Sequence, residues 1–136
     1  MADEQQMEQK KEKIFRGQTL EDLQKLEVRE FSKLLKSRPR RAILRNFSGV
    51  QNFIIRCQKK MAKKKIPRTH KRDLVIVPAM VGMTIGVHNG KEFTPVIISM
   101  EMLGHRLGEF AMTRKFTKHG AAGVGATKSS AALSVK

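Results

Sequence analysis

The chain reads as an α+β protein: a small, mostly antiparallel three-stranded sheet with packed helices, preceded by a basic helical half and followed by an extended basic tail. Three observations predict this. Apolar residues recur at helical spacing from Leu20 to Met61, the period turns strand-like between Leu74 and Ile98 around an Asn-Gly pair, and periodicity disappears from Ala111 onward.

The opening residues MADEQQMEQKKEK hold almost nothing apolar and cannot offset the entropy of ordering, so residues 1–18 are expected to form a disordered or loosely ordered arm. Thr19 suits a helix N-cap, with Glu21 and Asp22 in the first turn where the helix dipole favours carboxylates. Leu20, Leu23, Leu26, Val28, Phe31, Leu34 and Leu35 then predict one kinked helix or two short ones. Ser37 and Pro39 open another, PRRAILRNF, with Ile43, Leu44 and Phe47 inward and Arg40, Arg41 and Arg45 outward. In SGVQNFIIRCQKKMAKKK, Val50, Phe53, Ile54, Cys57 and Met61 form an apolar stripe opposite a basic face. Residues 19–66 are thus a basic amphipathic helical region, which Pro67 ends. IPRTHKRD continues as an extended basic linker.

Residues 67–116 hold the α+β core. LVIV at 74–77 predicts a buried strand closed by Pro78. MTIGVH and FTPVIIS flank Asn89-Gly90, the strongest short-range hairpin signal. A two-residue loop there puts Met83, Ile85 and Val87 on the core face with Thr94, Val96 and Ile98. The other face presents Thr84, His88, Lys91 and Phe93, with Gly86 opposite Phe93. Pro95 lacks a ladder donor, which suits an edge strand. Ser99 is a good N-cap for a helix over MEMLGHRLG with Leu103, Leu107 and Phe110 inward, Gly104 permitting a close approach and Gly108 as stop. Residues 117–136 are a Gly/Ser/Lys-rich extended tail.

Composition narrows the function. The formal charge is +16, and it is segregated: residues 1–30 carry six Lys/Arg against eight Asp/Glu, whereas residues 31–136 carry twenty-two against four. Such a chain repels itself and should be stabilised by a polyanion, nucleic acid first and an anionic membrane surface second. One cysteine excludes an intramolecular disulfide framework and fits a reducing compartment, and the charged N-terminus excludes a secretory signal. No run reaches the roughly 18 apolar residues of a membrane span.

Catalytic constellations fail one by one. GAAGVG at 120–125 lacks the Lys and Ser/Thr that complete a phosphate loop, since Ala126 and Thr127 follow it. His70, His88, His105 and His119 show no metal-ligand spacing, so each is better read as a hydrogen-bond donor to phosphate or backbone. Cys57 among lysines has no base and orienting acid beside it. What remains is nucleic-acid binding without cofactor or small-molecule substrate. Arg38, Arg40, Arg41, Arg45, Lys59, Lys60, Lys63, Lys64, Lys65, Arg68, Lys71 and Arg72 offer phosphate contacts. With Phe93 the one aromatic on the hairpin's outer face, folded RNA read by shape and phosphate fits better than single-strand stacking.

The run VPAMVGMTIGVHNGKEFTPVIISMEMLGHRLGEFAMTRKFTKHG, its lead-in THKRDLVI and its ending GVGATKSS resemble the universal small-subunit ribosomal protein family numbered nineteen in bacteria and fifteen in eukaryotes. The basic helical half and the tail resemble its eukaryotic/archaeal branch. The resemblance implies a small α+β domain in the head of the small subunit, bound to ribosomal RNA beside small-subunit protein thirteen, with a tail reaching toward the decoding site and tRNA. It implies a cytoplasmic particle, nucleolar during assembly if eukaryotic. Carried onto matching positions, it implies RNA contact or its support for Thr69, His70, Arg72, Asn89, Gly90, Lys91, His105, Arg114, Lys118, His119 and Gly120, and for Thr127, Ser129 and Ser130 in the tail. Arg106, Lys115 and Lys128, cationic neighbours of these positions, join the RNA-binding set. The alternative is a free-standing basic RNA- or DNA-binding module.

Overall fold

In the computed structural model, which describes residues 14–115, Thr19 caps the first helix as its sequence implies. Its hydroxyl oxygen accepts the Asp22 amide at 3.4 Å while its proton goes to the Asp22 carboxylate at 2.8 Å. Extended Leu26 separates α1 (Leu20–Lys25) from α2 (Val28–Leu34), so the first apolar stripe is two short helices. Leu23 and Phe31 are wholly buried. Before them, a tight turn with Arg16 and Gly17 at positive φ bridges Phe15 to Gln18 and brings the Phe15 ring to 6.1 Å from that of Phe31.

Pro39 falls in the first turn of α3 (Ser37–Arg45), and Asn46 breaks the chain between α3 and α4 (Phe47–Ala62). Ile43, Val50, Phe53, Ile54 and Cys57 are buried as the helical spacing predicts. Leu44 and Met61 are not; they are 51% and 43% exposed. Leu44 lies one residue, about 100° of helix, beyond the contact line of Ile43, and Met61 sits on the final turn of α4. The chain leaves α4 through Lys64 at φ 53, with Lys64 N–H on the Met61 carbonyl and Lys65 N–H on that of Lys60, a left-handed cap taken without glycine.

The sheet has the order β1-β2-β3, with β1 (Arg68–Thr69) parallel to β2 (Thr84–His88), which is antiparallel to β3 (Phe93–Ile97). The α+β class and a three-stranded sheet are as expected, but the third strand comes from the basic linker and not from residues 74–77. That segment is extended and fully buried, yet it pairs away from the sheet. Ile76 N–H donates to the His105 carbonyl at 2.8 Å, Gly104 N–H to that of Ile76 at 3.1 Å and Leu107 N–H to that of Leu74 at 3.0 Å. Leu74, Val75, Ile76 and Val77 are at most 2% exposed, so the run forms the centre of the core and the sheet closes over it.

Two further expectations are corrected. The hairpin loop is four residues: His88 pairs with Phe93, and Gly86 faces Pro95 instead of Phe93. Asn89 explains this, because its carbonyl oxygen Oδ1 accepts from the amides of Lys91 and Glu92 at 3.0 and 2.9 Å and so closes a wider turn. A slip of two residues preserves the faces, and Ile85, Val87, Val96 and Ile98 remain buried. The helix over 100–108 is instead two 3₁₀ turns, Met100–Met102 and Leu107–Phe110, joined by the segment that pairs with residues 74–76. Gly104 adopts φ +80, which ends the helical path after one turn, and Ser99 makes no side-chain cap bond.

Gly104 does serve a close approach, since a Cβ there would lie 2.8 Å from Leu35 Cδ2, whereas Gly82, at φ +83, has nothing within 4 Å. Gly82→Ala should lose about 1–2 kcal/mol for the left-handed backbone alone. Gly104→Ala should lose more by the cost of moving Leu35, about 0.5–1 kcal/mol. Urea unfolding measures the difference; equal losses would show that Leu35 yields freely.

Candidate nucleic-acid interface

Residues 31–72 contain fifteen Lys/Arg and not one Asp/Glu, and this stretch comprises most of α2, all of α3 and α4, and β1. The fold gathers its cations. Arg38, Arg41 and Arg45 on α3 line a cleft of about 180 Å³ with Arg106 from the far end of the sequence. On α4, Arg56, Lys59, Lys60 and Lys63 line a second, of about 330 Å³. Arg56 also enters a third, again about 330 Å³, with Arg68, His70 and Lys71. Among the described residues, none of these cations has a carboxylate within salt-bridge distance; the ion pairs lie elsewhere, at Lys25–Asp22 and His105–Glu109. The surface is therefore electrostatically unsatisfied, which is the arrangement that a run of phosphates neutralises.

Other residues of the expected set spend their hydrogen bonds on the protein's own backbone. The Arg72 guanidinium donates to three backbone carbonyls: Nη1 to His88 at 2.6 Å, and Nη2 to Gly108 at 2.7 Å and Ala111 at 2.6 Å. It joins the end of β2 to the closing turn. Arg40 folds back on the C-terminus of α2, donating to the carbonyls of Ser32, Lys33 and Leu35 at 3.2, 2.9 and 3.2 Å, groups that a helix end leaves without partners. Thr69 is buried, and its hydroxyl oxygen accepts the Lys71 amide at 3.0 Å. Asn89 and Gly90 build the hairpin loop, with Gly90 N–H donating to His88 Nδ1 at 3.0 Å. His88 is thus an acceptor where a donor was expected.

His105 stands near the surface with its Nδ1 2.7 Å from Glu109 Oε2, while Arg106 N–H donates to Glu109 Oε1 at 3.1 Å. Partial burial opposes ionisation of Glu109, but the Arg106 amide, the His105 hydrogen bond and the charges of His105 and Arg106 outweigh it and hold the carboxyl below its ordinary range. Lys64 and Lys65 form the exit from α4, Lys91 lies exposed on the hairpin loop, and Arg114 and Lys115 are exposed at the end of the described chain. Lys118, His119, Gly120, Thr127, Lys128, Ser129 and Ser130, with the rest of the tail, lie outside the described residues. Arg56 and Asn52, which line both of the 330 Å³ clefts, are absent from the expected set. Arg56 sits three and four residues before Lys59 and Lys60, so its place on their helix face was available from spacing.

A family model described as ribosomal protein S19 matches residues 41–119, more than half of the chain. The chain belongs to the ribosomal protein S19 family. It is a ribosomal protein of the small subunit that binds ribosomal RNA, in a family whose role is structural and not enzymatic. The S19 match takes in most of α3, all of α4, the sheet and the closing turns, and so it covers the three basic clefts apart from Arg38. Helices α1 and α2 precede it.

Arg72→Met should lower stability by on the order of 3 kcal/mol in denaturant, because three carbonyls lose a charged donor. Arg56→Gln should leave stability within about 0.5 kcal/mol. The reverse order would show that Arg72 is a surface cation. For Glu109, the lowered carboxyl means that its stabilising contribution is full above the ordinary value of 4.5 and is lost as pH falls through the folded-state value. Melting temperatures of the wild type and Glu109→Gln should therefore differ near pH 6 and converge in acid; parallel curves would rule this out.

Proposed function

We propose that this S19-family chain is a structural constituent of the small-subunit head that grips folded ribosomal RNA through the cationic surface of α3, α4 and β1. It stands there beside small-subunit protein thirteen. Residues 117–136 reach from it toward the decoding site and tRNA. In a nucleated cell it would pass through the nucleolus during assembly. The observation that carries the reading is the gathering of Arg38, Arg41 and Arg45 in one cleft and of Arg56, Lys59 and Lys63 in another, with no carboxylate among the described residues within salt-bridge distance of them. Charges left unpaired over such a surface oppose folding unless a polyanion takes them up.

The cations bound to backbone carbonyls support the same reading. Arg72 and Arg40 hold the backbone on which the free cations are displayed, so positioning and phosphate binding are divided among different residues. The head location, the neighbour and the direction of the tail are what the family resemblance implies for this chain.

Sedimentation of cell extract tests the location: the chain should travel with small subunits and their head fragment, and a persistent free pool would instead indicate a free-standing nucleic-acid-binding module. Purified, it should bind folded small-subunit RNA with a steep salt dependence. Replacing Arg56, Lys59 and Lys63 by Gln should reduce the slope of log K against log salt by roughly 0.9 per lost phosphate contact. An unchanged slope would remove α4 from the interface.

A further inference from the structure

Phosphate neutralisation leaves one arrangement on the outer face of the sheet unexplained. The parallel register pairs Arg68 with Gly86 and Thr69 with Val87, and the antiparallel register pairs His88 with Phe93. Side chains alternate along a strand, so Thr69 turns inward while Arg68 and His70 share the outer face with His88 and Phe93. Gly86 makes room for them: a Cβ there would lie 3.3 Å from Arg68 Cγ and 3.5 Å from Phe93 Cβ.

Three rings and a guanidinium therefore meet. His70 lies 4.5 Å from His88 with 33° between the planes, and Phe93 meets both edge-on at 5.0 and 4.9 Å. The Arg68 guanidinium sits 5.4 Å from the centre of the Phe93 ring. The Gly90 amide holds His88 by its Nδ1, so the surface on which His70 rests is fixed before any ligand arrives. His70 itself is exposed and forms part of the wall of the 330 Å³ cleft between α4 and β1, with Phe53 beneath and Asn52, Arg56 and Lys71 around it. Among the described residues, neither the Asn52 amide nor the His70 ring nitrogens hold a hydrogen bond, so both remain available to a ligand.

An A-form duplex keeps its bases stacked inside and would engage the cations alone, leaving the rings idle. A base extruded from an unpaired position would use both. The cleft volume is at the small end of the roughly 300–1,000 Å³ of small-ligand sites, which suits one nucleotide and not a helix. We propose that the cleft between α4 and β1 holds a single unpaired nucleotide of the bound RNA, its base stacked on His70 and its phosphate between Arg56 and Lys71. This rests on the RNA-binding role given above and specifies the class of nucleotide that the site takes.

The test uses the full-length chain with histidine ring protons observed by NMR at pH 8. A single-stranded RNA pentamer of mixed sequence should shift the His70 resonances, and an abasic ribose-phosphate pentamer of equal charge should not. Equal shifts with both would overturn the proposal. Against folded small-subunit RNA, His70→Ala should weaken binding roughly 5- to 150-fold with no change in salt slope, and His70→Phe should restore it. Binding unaffected by His70→Ala, or restored equally by His70→Leu, would also overturn it. His70 shifts from the pentamer in a chain that fails to bind ribosomal RNA would uphold the cleft and reject the ribosomal reading instead.

Discussion

Three carbonyls that end on one guanidinium tie this protein together. Arg72 lies three residues past the end of β1, and its fork reaches the last residue of β2, the Gly108 carbonyl and the Ala111 carbonyl, while its own carbonyl accepts the Gly108 amide. The hairpin, the buried run 74–77 and the closing turns are thus joined at a point where no regular ladder continues. A planar group with five fixed donors can satisfy carbonyls that diverge in this way; a lysine cannot. The sheet has only two residues in β1, so this joint carries much of what a longer strand would supply.

Around that joint, the charges divide by task. Arg40 and Arg72 spend their donors on the backbone, and the other cations of α3 and those on the outer face of α4 keep theirs. The division explains how an acid-free run of residues 31–72 folds at all. Its apolar line through Phe31, Leu35, Ile43, Val50, Phe53 and Cys57 is buried in one cluster with residues 74–77, and repulsion acts mainly across the solvated side, where water and salt screen it. Salt then has opposite effects on the two states of the protein, relieving the free chain and loosening its hold on RNA.

What the sequence makes legible follows its periodicities. Ile43, Val50, Phe53, Ile54 and Cys57 were readable because each lies on a helical stripe, and the hairpin faces survived a misjudged loop because a strand has a period of two. Leu44 was misplaced because a short helix buries a narrower line than its apolar residues suggest. The Met100–Leu107 stretch has helical spacing, but Gly104 at positive φ diverts it into a backbone pairing with Ile76 that no local pattern encodes. At the interface, charge segregation pointed to the right region but could not separate Arg72 and Arg40 from the free cations. Which carbonyls lack partners is decided by tertiary structure. The ring cluster is invisible in the sequence for a related reason, since His70 and His88 are eighteen residues apart and meet only through the parallel register of β1 on β2.

Cys57 gives the buried side of α4 a property of its own. The thiol is wholly enclosed, and burial pushes its pKa up to about 11, against the nearby charges of Arg56 and Lys60 that would lower it. Thiolate is the reactive form, so the docked helix keeps the sulfur inert at neutral pH. Alkylation of this single site can proceed only when α4 lifts from the core. The chain thus carries an internal clock for the opening of its longest helix, readable by mass on the free protein and again after RNA has covered the other side.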